Sequence, residues 1–205
     1  MFTGIVEETG EVVSFVESAA SWRLVLKADL VVDDLKIGDS LACNGCCLTV
    51  AEIDGQHLSF DLLDETVRLT SLDGVKPGSL INLERSMPAN GRFGGHVVSG
   101  HVDATAEILK FEAIGKNHFL QVSTPEAFRQ YLVYKGCIAI DGMSLTIAVL
   151  NEDSLAVWLI PHTLTVTNLQ QRAAGDKVNL EFDLLAKYVE RMLARQEPVS
   201  PYTPK

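Results

Sequence analysis

One histidine, one serine and one cysteine stand where this sequence could do chemistry. His101 follows Gly100 in the stretch 94–102, Gly-Gly-His-Val-Val-Ser-Gly-His-Val, where an imidazole can exchange a proton near neutral pH. Ser144 and His101 could be taken as a nucleophile and its base. No Gly-x-Ser-x-Gly elbow surrounds the serine and no third member is identifiable, which weighs against a hydrolase triad. Cys47 would need an electropositive setting to act as a thiolate, and the sequence shows none. It also carries no glycine-rich phosphate loop, dinucleotide fingerprint or metal-ligand cluster, so the expected chemistry runs without a cofactor or a metal.

These residues gain weight from the elements that must position them, because the chain starts twice. Val97-Val98-Ser99-Gly100-His101-Val102 matches Met1-Phe2-Thr3-Gly4-Ile5-Val6 in residue character, and the offset of 96 holds for Gly4/Gly100 and Glu11/Glu107. Past one inserted residue it becomes 97, through Gly45/Gly142, Leu48/Leu145, Thr49/Thr146, Thr66/Thr163, Leu72/Leu169, Asn82/Asn179 and Glu84/Glu181. Glycines and polar residues recurring in register indicate a duplicated domain. The chain of 205 residues therefore divides into a first domain at 1–93 and a second at 94–183.

Within each half, short apolar runs are broken by turn signals. Expected strands lie at 2–13, 22–27, 40–43, 46–53, 58–62 and 80–84, and again at 97–109, 118–122, 136–140, 143–149, 155–160 and 177–181. Asn44-Gly45 and Asp141-Gly142 are hairpin signals. Short helices are expected at 64–69 and 125–131. The fold class is all-β: two homologous closed barrels of six strands, which leave no exposed strand edge. One segment without an upstream counterpart, 184–196, places Leu184, Leu185, Tyr188, Val189, Met192 and Leu193 on one helical face. That stripe suits packing on its own domain or against the same helix of other subunits. The proline-bearing end, 197–205, is expected to be disordered.

The net charge of −10 is spread over both halves without a basic stripe, which argues against nucleic acid or an anionic membrane as partner. Glu7 and Glu8 stand where a signal peptide needs a basic start, and no apolar run is long enough to span a bilayer, so a cytoplasmic protein is expected. The cysteines, at 43, 46, 47 and 137, lack the second ligand pair of a zinc site and read as small, buried and reduced.

Segments alike in both halves predict a pair of similar pockets, one per half, lined by glycine backbone, threonine hydroxyls and aliphatics. Such pockets suit a flat polar heterocycle. The halves differ where His101 replaces Ile5, Ser144 replaces Cys47 and His162 replaces Glu65.

Met-Phe-Thr-Gly-Ile-Val at the start, Asn-Gly-Cys-Cys-Leu-Thr-Val at 44–50, the seam at 94–101, Tyr-Lys-Gly through Ser-Leu-Thr at 134–146 and Ile-Pro-His-Thr at 160–163 together resemble the riboflavin synthases of the alpha-chain type, over residues 1–183 in order. The resemblance implies a Greek-key double barrel, a homotrimer joined through the C-terminal helix, and an active site between the first barrel of one subunit and the second barrel of the next. It also implies a reaction in which one 6,7-dimethyl-8-ribityllumazine molecule gives a four-carbon unit to another, leaving riboflavin and 5-amino-6-(ribitylamino)uracil. Carried over, the substrate-binding residues are Gly4, Ile5 and Val6; Cys47, Leu48 and Thr49; Asp61, Leu62, Leu63, Asp64, Glu65 and Thr66; Gly100, His101 and Val102; Lys135; Ser144, Leu145 and Thr146; and Ile160, Pro161, His162, Thr163, Leu164 and Thr165. His101 and Ser144 resemble the pair that handles protons and positions the nucleophile, with Cys47 and Phe2 close to the reacting rings. The alternative within the same family is a non-catalytic antenna protein that holds lumazine or flavin.

Overall fold

The computed structural model describes residues 1–18 and 21–194. β1 (Glu8–Glu17), β2 (Trp22–Lys27), β3 (Ser40–Cys43), β4 (Cys46–Asp54), β5 (His57–Leu62) and β6 (Leu80–Arg85) close an antiparallel barrel in the order β1-β2-β5-β4-β3-β6. β7 (Ala104–Ile114), β8 (Asn117–Ser123), β9 (Cys137–Ile140), β10 (Met143–Leu150), β11 (Ser154–Leu159) and β12 (Lys177–Phe182) close a second barrel in the same cyclic order. Inward positions such as Leu24, Leu26, Leu58 and Phe60 fill the first core, and Leu120, Val122, Leu155 and Val157 fill the second. Register shifts fall at matching places, Val12/Ser14 and Val50/Glu52 in the first barrel and Ile108/Lys110 and Ile147/Val149 in the second. Bulges of this kind bend strands tightly enough for a small barrel to close.

Both hairpin signals form as expected. Asn44 and Gly45 turn with φ of 47° and 77°, and Asp141 and Gly142 with 44° and 81°, the left-handed pair that a two-residue turn requires. The two turns abut, since a Cβ on Gly45 would stand 2.8 Å from the Gly142 nitrogen. Around them the barrels join through buried amides. Asn82 Nδ2 donates to the Asp141 carbonyl at 2.9 Å, Asn179 Nδ2 to the Asn44 carbonyl at 2.8 Å, and Asn168 Nδ2 to Asn44 Oδ1 at 3.0 Å.

The expected opening strands are cut short. β1 starts at Glu8 instead of residue 2, and β7 at Ala104 instead of residue 97. The physical reason is the backbone of Gly4 and Gly100, whose φ values of 78° and 82° cannot continue an extended strand. The expected helix at 64–69 forms as α1 (Asp64–Leu69), and its counterpart α2 (Pro161–Val166) occupies the equivalent place in the second half. The segment after Pro125 winds as a 3-10 helix, Glu126–Tyr131.

α3 (Leu184–Leu193) begins at Asp183, whose Oδ1 accepts from the Leu185 N–H at 2.9 Å. Lys187 ties it to Asp103 at 2.6 Å. Its apolar stripe turns away from the chain, with Met192 78% and Leu193 80% exposed, so packing on its own domain is not the arrangement adopted. The expected extension of this helix beyond residue 194 and the tail at 197–205 lie outside the described residues. Among the described residues no helix is long and apolar enough to cross a membrane.

Candidate active site

Two short segments leave their own halves and cross to the other barrel. Residues 1–7 and 97–103 meet in an antiparallel bridge in which the Phe2 N–H donates to the Val98 carbonyl at 2.8 Å and the Val98 N–H donates back at 3.1 Å. The Phe2 ring is fully buried beside Val98, Ala42 and Ala139, with Cys47 packed against the cluster. Past the bridge the segments diverge. The Gly4 carbonyl accepts from the Ser144 N–H of the second barrel at 2.8 Å, and the Gly100 carbonyl accepts from the Cys47 N–H of the first barrel at 2.8 Å. Val6 packs on the second core and Val102 on the first.

Neither glycine tolerates a side chain at this crossing. A Cβ on Gly4 would stand 2.6 Å from Ser144 Cβ, and one on Gly100 would stand 2.6 Å from Cys47 Cβ. Each crossing segment is fastened at its base by a buried carboxylate from the last strand of its own barrel. Glu84 accepts from the Thr3 N–H, the Thr3 hydroxyl and the Gly4 N–H at 2.7, 2.8 and 2.9 Å. Glu181 accepts from the Ser99 N–H, the Ser99 hydroxyl and the Gly100 N–H at 2.6, 2.6 and 2.9 Å.

The crossing makes two composite sites. One opens as a cavity of about 150 Å³ lined by Gly4, Ile5 and Val6 together with Met143, Ser144, Leu145, His162, Thr163, Val166 and Thr167. The other brings Gly100 against Cys47, with His101 and Val102 following along the crossing segment and Leu48 and Thr49 along β4. The expectation of one pocket per half is therefore corrected: each site takes its opening segment from one half and its hairpin strand from the other. Residue offsets show which positions are alike and do not show which barrel they face.

The duplicated fold has counterparts among known proteins. Residues 3–86 and 99–183 each match the lumazine binding domain. The riboflavin synthase of Bacillus subtilis (strain 168) is 45% identical over 193 residues, covering 94% of this chain and 90% of that one. That of Escherichia coli (strain K12) is 41% identical over 204 residues, covering 96% and 95%. The chain belongs to the riboflavin synthase family. In fold it also matches LumP, solved with 6,7-dimethyl-8-(1'-D-ribityl) lumazine, at a TM-score of 0.80 and 23% identity over 88% of this chain and 98% of that one. LumP solved with riboflavin superposes at a TM-score of 0.81 and 24% identity, over 89% and 99%.

The structure brings part of the expected set of residues together at the two composites. Ser144, Leu145, His162 and Thr163 join the opening segment at the cavity; Thr146 is adjacent in sequence on β10, Pro161, Leu164 and Thr165 on α2, and Ile160 is the residue that caps α2. On the other side Asp61 pairs with Arg23 at 2.9 Å, and Asp64 accepts from the Trp22 indole N–H at 3.0 Å, so β5 and the start of α1 are anchored to β2. Leu62 is core, while Leu63 and Glu65 are exposed, and Thr66 is half-buried. Lys135 holds a φ of 64° and bonds through its N–H to the Ile147 carbonyl at 3.0 Å; its ammonium lies over the neighbouring Tyr134 ring.

The expected pairing of His101 with Ser144 is not made within one chain. Ser144 Oγ stands 2.7 Å from Nδ1 of His96, and His101 sits exposed in the other composite site. His96 is not among the positions that the repeat pairs. Its main chain is fixed by donation to the Thr3 carbonyl at 3.1 Å. Burial pushes the His96 imidazole below its ordinary 6.5, with Asp183 and Glu181 pulling it back up in part. The neutral ring is thus the form facing Ser144 at neutral pH. Two of the cysteines are inert: burial raises Cys43 far above the ordinary thiol range and pushes Cys46 up to about 12.

A depressed histidine is linked to stability with a definite sign. Its contribution is complete above 6.5, where folded and unfolded rings are both neutral, and is lost as pH falls through the lowered folded value. Denaturant titrations between about pH 5 and 7 should therefore show His96→Gln losing less stability on acidification than the parent chain. Parallel losses in the two proteins would contradict the assignment of a buried neutral imidazole.

Proposed function

We propose that this chain is an enzyme that dismutates two molecules of 6,7-dimethyl-8-ribityllumazine, moving a four-carbon unit from one to the other to release riboflavin and 5-amino-6-(ribitylamino)uracil. The observation that carries the reading is the pair of composite sites, built on one backbone scaffold and differing in side chains. Two copies of one substrate that play different roles need two sites that are alike but not identical. Ile5 against His101, Ser144 against Cys47 and His162 against Glu65 supply that difference.

The two substrates contain all the atoms of the two products, so the reaction calls for no external oxidant or reductant. The early step removes a proton from the 7-methyl group of one lumazine, whose ring system delocalises the charge. His101 is suited to that transfer, and Ser144 to positioning the nucleophile. Most of the gain comes from holding two rings in reacting orientation.

His101 and Ser144 lie in different composite sites of one chain, so a shared reaction centre needs a second copy. We place the first barrel of one subunit against the second barrel of the next, in a homotrimer whose contacts include the exposed stripe of α3. The working location is the cytoplasm. His101→Gln is expected to lower riboflavin formation by about 10²-fold while lumazine binding, followed by fluorescence, is retained. Lost binding with unchanged turnover per bound substrate would contradict this role.

A further inference from the structure

Glu84 and Glu181 take no part in the reaction as described, and both carry their carboxyl groups inside the protein, 7% and 3% exposed. Each receives three hydrogen bonds from a crossing segment, and corresponding distances in the two halves agree within 0.2 Å. Glu84 belongs to β6 of the first barrel, yet the glycine it fastens hands its carbonyl to Ser144 on β10 of the second. Glu181 belongs to β12 of the second barrel, and its glycine reaches Cys47 on β4 of the first.

We propose that Glu84 and Glu181 are positioning residues wired crosswise, each setting the reacting group carried by the opposite barrel. The proposal rests on the function given above for its effect on turnover, but not for its geometry. Three donors converging on one side chain require an acceptor at both oxygens, which an ionised carboxylate supplies and an amide does not. In Glu84→Gln the new NH₂ group would face either the Thr3 donors or the Gly4 N–H, and that tether fails. The crossing segment then loses its fixed height, and with it the hydrogen bond to Ser144.

Amide hydrogen exchange of the full chain reads this without reference to activity. Glu181→Gln is expected to speed exchange of the Cys47 amide by about tenfold or more and leave the Ser144 amide near its parent rate; Glu84→Gln should do the reverse. In the same variants kcat should fall by about tenfold or more with a smaller change in KM, since misplacement of reacting groups acts mainly on the chemical step. Faster exchange confined to the variant's own barrel, equal acceleration at both amides, or no change in either would overturn the crosswise assignment. If the parent chain forms no riboflavin, the functional reading fails while the exchange result still decides the wiring.

Discussion

Gly100→Ala is expected to yield a protein with almost no turnover and a stability lower by about 2–5 kcal/mol, combining left-handed backbone strain with overpacking. The backbone there has a φ of 82°, and the added methyl would meet Cys47 Cβ at 2.6 Å and the Phe2 ring at 2.8 Å. Phe2 is fully buried at the bridge between the two crossing segments and cannot retreat without disturbing both sites. Relief must therefore come from the segment that carries His101, and a displacement of about 1 Å at a reacting group costs on the order of 10²-fold in rate. Urea unfolding together with riboflavin formation checks both effects. Parent-like values for both would mean that the close crossing is not a feature of the folded protein. Gly4→Ala should behave in the same way, because its φ is 78° and its methyl would meet Ser144.

The second large effect concerns the joint between the barrels. Asp141 is completely buried, accepts from the Asn179 N–H at 2.7 Å and the Asn168 amide at 2.7 Å, and pairs with Arg172 at 3.1 Å. Burial pushes its carboxyl up, against the pull of Arg172 and these donors. Asp141→Ala strips two buried donors and the half-buried Arg172 of their acceptor at once and is expected to cost about 3–5 kcal/mol. The repeat itself suggests the milder substitution. Asn44 occupies the corresponding place and accepts from the Asn82 N–H at 2.8 Å, so Asp141→Asn should keep that bond and cost about 1–3 kcal/mol, chiefly through Arg172. Denaturation curves that rank the asparagine variant below the alanine variant would contradict this account of the joint.

The parts of the fold that were legible in the sequence are those set by local chemistry. Asn44-Gly45 and Asp141-Gly142 announce two-residue turns because few residue pairs accept two left-handed conformations in succession. The stripe of α3 follows from its period, and its outward face could not be read because periodicity does not say what covers a face. Strand positions after Glu8 and Ala104 follow from alternation and turn spacing.

What escaped was non-local. The alternation of residues 2–13 looks like one strand, and the break at Gly4 serves a contact with Ser144, 140 positions away. The same crossing moves Gly4 and Gly100 into sites belonging to the opposite barrel, which no comparison of the halves could reveal. Glu84 and Glu181 stood in register as a repeated pair, but a repeated carboxylate on a last strand carries no sign of the backbone it holds. His96 lies inside the most conspicuous stretch of the chain, yet its role is set by a contact with Ser144, 48 positions away, which the repeat does not mark.

The measurement that bears most directly on the central claim is incubation of the purified chain with 6,7-dimethyl-8-ribityllumazine alone, without metal or nucleotide, following both lumazine and riboflavin by absorbance and fluorescence. The account predicts one riboflavin formed for every two lumazines consumed. Tight binding of lumazine with no riboflavin would contradict it and leave the two composite sites as holders of a chromophore.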